Sequence, residues 1–77
     1  MARLLKRQKL TDKQREVYEF MRDFDAANGR PPKTKEIIAG TSLVHVGQIT
    51  NAKRALSVKG YITITGYGKY EVEHYER

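Results

Sequence analysis

The stretch TKEIIAGTSLVHVGQITNAKRALSVKG, residues 34–60, carries two helical patterns separated by a break. Thr34 can cap a short helix holding Glu36, Ile37, Ile38 and Ala39, and Gly40-Thr41-Ser42 reads as its end. The second pattern starts near residues 45–47 and runs to 58, with Ile49, Ala52 and Leu56 on one face. Gln48, Asn51 and Arg54 spread over the opposite side, and Thr50 lies at its edge. Gly60, just after Lys59, can take the left-handed conformation that closes a helix. A short helix, a turn and a helix with one apolar and one polar side make a helix-turn-helix.

Upstream, Thr11-Asp12-Lys13-Gln14 has the spacing of a capping box, so a helix starts there. Val17, Phe20, Met21 and Phe24 recur at i, i+3, i+4 and i+7, which predicts a core-facing stripe. Glu16, Glu19 and Asp23 fall on another face. Asn28-Gly29 should end this helix, and Arg30-Pro31-Pro32 forces an extended connection. Downstream, Tyr61-Ile62-Thr63-Ile64-Thr65 alternates at period two, Gly66-Tyr67-Gly68 is a turn, and residues 69–73 form a second strand. Ile62 and Ile64 are expected to face the helices, paired with Tyr70 and Val72. The class is α+β: a winged helix-turn-helix of three helices followed by a two-stranded antiparallel hairpin. Residues 1–9 read as a flexible basic arm, 10–73 as the domain and 74–77 as a tail.

Seventy-seven residues close one hydrophobic core. No cysteine is present, which excludes a disulfide framework or a thiolate metal site. The basic start lacks the apolar segment of a signal peptide, and no run approaches the ~20 apolar residues of a membrane span. A cytoplasmic protein is the default expectation. The net charge of +6 is segregated. Residues 30–70 hold Arg30, Lys33, Lys35, Lys53, Arg54, Lys59 and Lys69 against Glu36 alone, while Glu16, Glu19, Asp23 and Asp25 cluster in the first helix. Such segregation favours a polyanionic partner for the basic part.

A helix fits the DNA major groove, where each base pair shows a distinct donor and acceptor pattern. Gln48, Thr50, Asn51 and Arg54 are therefore the candidate base contacts: Gln48 and Asn51 suit adenine, Arg54 suits guanine or phosphate. Candidate backbone contacts are Lys33, Thr34 and Lys35 at the second helix's start and His45 and Gly47 at the third's. Lys53, together with Tyr67 and Lys69 of the wing, completes that set. Tyr61 and Tyr70 read as half-buried sheet residues rather than a stacking platform for single strands. His45 and His74 are far apart in sequence, no carboxylate pair sits in an apolar context, and no convergent ligand set is evident. The expectation is a non-enzyme without cofactor, metal or small-molecule ligand. The partner expected is double-stranded DNA, bound by two copies on paired half-sites because a lone module buries only ~600–1,000 Å². The competing reading is a protein-interaction module on the same fold, such as a small inhibitor of a nucleic-acid enzyme.

Four segments carry a resemblance: Leu10-Thr11-Asp12-Lys13-Gln14-Arg15-Glu16-Val17, Asn28-Gly29-Arg30-Pro31-Pro32, Glu36-Ile37 and Ala55-Leu56-Ser57-Val58-Lys59-Gly60-Tyr61-Ile62. Together, over about residues 10–65, they resemble the DNA-binding domain of the LexA repressor family. The resemblance implies a winged helix that binds duplex DNA as a small transcriptional regulator. It also places Gly47, Gln48, Thr50 and Asn51 at base-reading positions. Their identities, like the stretch Val44-His45-Val46-Gly47-Gln48, depart from the family's usual ones, so its operator is not carried over. Lys53 falls where the family tends to have an apolar residue, and its stem can lie along the core with the ammonium in water. The chain ends near the wing, so the family's self-cleaving, dimerising domain and its damage response are not inherited.

Overall fold

A computed structural model describes residues 9–66 and 69–74. The wing tip at Tyr67 and Gly68, the tail from residue 75 and all of the basic arm except Lys9 lie outside the described residues. Helix α1 spans Asp12–Asn28, α2 Thr34–Gly40 and α3 Val46–Val58; strands β1, Ile62–Gly66, and β2, Lys69–Val72, follow.

Each helix boundary has a local cause. Thr11 Oγ1 accepts the Gln14 N–H while the Thr11 N–H donates to Gln14 Oε1, both at 3.2 Å, so the capping box at α1 is closed. Gly29 ends that helix at φ +72°, its N–H on the Asp25 carbonyl. At α2 the expected cap differs. Lys33, not Thr34, is the residue before the first turn, and Thr34 is already helical. Lysine offers no acceptor, so the Glu36 carboxylate reaches back and takes the Lys33 N–H at 2.7 Å. The end of α3 is the expected one: Gly60 has φ +87°, and the Tyr61 N–H closes on the Leu56 carbonyl at 2.8 Å.

The core is built of Val17, Tyr18, Met21, Ile37, Leu43, Ile49, Ala52, Leu56, Tyr61, Ile62 and Val72. On α3 the apolar face is the expected one. On α1 the buried arc is rotated toward Tyr18, and Phe20 and Phe24 are only half-buried. The rotation is possible because the Tyr18 hydroxyl donates to the Glu73 carbonyl, so the phenol enters the core with its polar end satisfied. Its ring meets Tyr61 edge-on, centroids 4.8 Å apart. Phe20 instead covers Gly40: a β-carbon there would stand 2.1 Å from the Phe20 ring, so glycine lets α1 and α2 approach. Phe24 lies under the Arg30 guanidinium at 5.0 Å.

The hairpin pairs Ile62 with Val72 and Ile64 with Tyr70, with a register irregularity between Ile64 and Gly66. Ile62 is buried as expected, but Ile64 is 56% exposed. Both share a face by the period of the strand. The hairpin outruns the apolar part of α3, so Ile64 lies beside Thr50, Lys53 and Arg54 instead of the core. Tyr70 is half-buried and donates its hydroxyl to the Pro32 carbonyl, which ties β2 to the proline linker. Burial raises the pKa of that phenol.

Candidate nucleic-acid interface

Because Ile49, Ala52 and Leu56 anchor α3 in the core, the residues on its far side are forced outward. Gly47, Thr50, Asn51 and Arg54, spaced i, i+3, i+4 and i+7, form one exposed stripe along the helix. Among the described residues, the side chains of Thr50, Asn51 and Arg54 have no hydrogen-bond partner in the protein. Gln48 sits to one side of the stripe, and its Oε1 accepts the N–H groups of Val44 and His45, each at 3.3 Å.

The turn that presents this helix is braced from α1. The Glu16 carboxylate takes both the Ser42 N–H and the Ser42 hydroxyl at 2.7 Å, and the Lys13 ammonium donates to Ser42 Oγ at 2.8 Å. Those hydrogen bonds to Ser42, with Lys13 nearby, hold the Glu16 carboxyl below the usual range. Thr41 Oγ1 donates to the Ile37 carbonyl and accepts from the Leu43 N–H, which turns Leu43 into the core. On the other flank Arg30 grips Glu36 bidentately at 2.9 and 3.0 Å. With that guanidinium and the Lys33 N–H upon it, the Glu36 carboxyl is lowered to about 2.

Of the candidate backbone contacts, Lys33, Thr34, Lys53 and Lys69 come together around one open hollow of about 380 Å³, floored by Pro31, Pro32 and Tyr70. Lys53 is half-buried, its ammonium 4.8 Å above the Tyr70 ring. Burial lowers its pKa, as a stem lying on the core would. A smaller hollow of about 210 Å³ joins Thr50 and Arg54 to Ile64 and Lys69, so wing and reading stripe border the same groove. Lys35 and His45 are exposed but line neither hollow, and Tyr67 is outside the described residues.

Two features escaped the sequence reading. Lys13 shares a third hollow with Gln48 and Asn51, at the start of α1; its place among the basic residues of the first fifteen was the only available sign. Val44 and Val46 are 65% and 60% exposed beside the first turn of α3. Both flank His45 where the turn passes into α3, and no periodicity there separates inward from outward.

Among the described residues, no group of three or more His, Asp or Glu could hold a metal ion. No helix among them is long and apolar enough to cross a membrane. The family description "LexA DNA binding domain" matches residues 7–68. The chain belongs to the LexA DNA-binding domain family. The matched span takes in α1, α2, α3 and β1 and stops short of β2. As a LexA-family domain, the protein is a DNA-binding, repressor-like regulator whose partner is double-stranded DNA. Its three helices and antiparallel hairpin are the winged helix-turn-helix of that family. Among curated proteins, no relative matches at a significant level.

Proposed function

We propose that this LexA-family domain recognises a particular duplex sequence by laying α3 in the major groove. The observation that carries the reading is the exposed stripe of Thr50, Asn51 and Arg54, which have no partner among the described residues and stand opposite a fully packed apolar face. Polar side chains left unpaired on a helix braced from both flanks are suited to base edges. Lys33, Lys53 and Lys69, on the side of the groove between α3 and the hairpin, supply the charge for one phosphate strand. Lys35, His45, Thr34 and the glycine at position 47 extend those backbone contacts. Tyr67 of the wing belongs to the same proposal. Two copies on paired half-sites bring the contact area to that of a tight specific complex.

Exposed Val44 and Val46 favour a second reading, in which the start of α3 grips a protein partner. Parallel binding to a selected site and to a scrambled duplex separates the two. Asn51→Ala should weaken the selected site by about 1–3 kcal/mol and leave the scrambled duplex almost unaffected. Lys69→Ala should weaken both alike. Full retention of the preference by the Asn51 variant would show that α3 is not the reader.

A further inference from the structure

Gln48 differs from its neighbours on α3 in one respect that decides what it can read. Thr50, Asn51 and Arg54 keep their whole hydrogen-bonding capacity for an outside partner. Gln48 does not, because its Oε1 accepts from Val44 N and His45 N at 3.3 Å each. Both partners are N–H donors, so only the oxygen end of the amide can face them, whichever way the group is drawn. Two N–H groups also match the two lone pairs of that oxygen. What remains available outside is the NH₂ end, with two donors and no acceptor.

The bases differ in how they meet such a group. In the major groove guanine shows two neighbouring acceptors, O6 and N7. Adenine shows an acceptor and a donor, and needs both ends of a glutamine amide for a bidentate match. Thymine offers one acceptor, O4, and cytosine only a donor. Freeing the oxygen to address adenine would first break both of its bonds to the Val44 and His45 N–H groups just ahead of α3. Building on the proposal that α3 lies in the major groove, we infer that Gln48 is a donor-only reader that selects guanine. Thymine ranks second, and adenine and cytosine are rejected. The adenine match expected from residue type alone is left to Asn51, whose amide is free at both ends.

Glu at this position separates capping from reading, since a carboxylate keeps an acceptor for the Val44 and His45 N–H groups and has no donor. Selection of sites from randomised duplexes by the wild type, Gln48→Glu and Gln48→Ala gives the comparison, with circular dichroism confirming that each is folded. The wild type should prefer guanine over adenine at one base position by roughly 5–150-fold. In the Gln48→Glu variant that position should change to cytosine, whose N4 amine a carboxylate can accept, while the other positions stay as they were. Gln48→Ala should lose the preference there without gaining another. Replacing the selected guanine by 7-deazaguanine, which lacks the N7 acceptor, should weaken the wild type several-fold and leave both variants unaffected. Adenine at the position that responds to Gln48→Glu would overturn the donor-only assignment, as would a wild-type site in which no position responds. Those failures leave α3 in the groove if Asn51→Ala still erases preference elsewhere. If the wild type selects no site at all, both the groove reading and the guanine assignment fall.

Discussion

Gly47 stands in the first turn of α3, where glycine is costly to the helix and nothing in the fold asks for it. Its φ is not positive, and a β-carbon there would meet no atom within 4 Å. Alanine at an open helical site is favoured by roughly 0.5–1 kcal/mol. Retaining the bare backbone at the leading edge of the reading stripe makes sense if something outside comes close to it. Gly47→Ala should therefore raise the melting temperature and weaken binding to the selected duplex several-fold. Thermal melts and titrations on the same preparation read both effects. Unchanged affinity in the stabilised variant would mean that the first turn of α3 does not approach DNA. Single residues also mark where reading by sequence stops. Thr11, Gly29 and Gly60 were legible because a cap depends on neighbours three or four positions away. Tyr18 was not, because its burial depends on a carbonyl at Glu73, far along the chain. Leu43 sits in a turn, where no repeat reports which way a side chain points.

Short α2 depends on its flanks more than on its own length. Seven residues are too few for a helix to be stable alone. Arg30 and the Lys33 N–H converge on Glu36 and fix how the proline linker enters the helix. Their effect appears in the acid range. The folded-state pKa of Glu36 is lowered from 4.5 to about 2, so its contribution is fully present above the unfolded value and lost as pH falls through the folded one. Glu36→Gln should lower the melting temperature at neutral pH and flatten its decline between pH 5 and 2, the two curves converging at the acid end. A residual slope should remain, because Glu16 at Ser42 shifts in the same direction. Parallel curves across that range would show that the Arg30 pair does not stabilise the fold. The hairpin shows what alternation leaves undetermined at this scale. Period two put Ile62 and Ile64 on one face correctly, but only Ile62 reaches apolar helix. How far a helix's apolar face extends beside a strand depends on where the two elements dock.

Across the whole molecule, acidic and basic side chains are used differently. Glu16 and Glu36 are held in brackets between elements, while Lys33, Lys53, Lys69 and Arg54 border the groove between α3 and the hairpin. The general architecture was legible because each helix had its own start and stop signals. The division of labour within the basic set was not, since only docking distinguishes Lys53 on the Tyr70 ring from Lys35 in open water. If about five phosphates are neutralised, log affinity for any duplex should fall with log salt at a slope of roughly −4 to −5. Titration from low to physiological salt checks this, and a slope near zero would show that the lysines around the groove do not neutralise phosphates. The final described residues are tied to the first helix: Tyr18 holds the Glu73 carbonyl, and His74 Nε2 meets the Asp25 carboxylate at 2.6 Å. Both anchors belong to α1, which packs on the core side of α3. A fluorophore placed beside these anchors would therefore turn with α1, and its polarisation could report rotation of the whole domain on DNA.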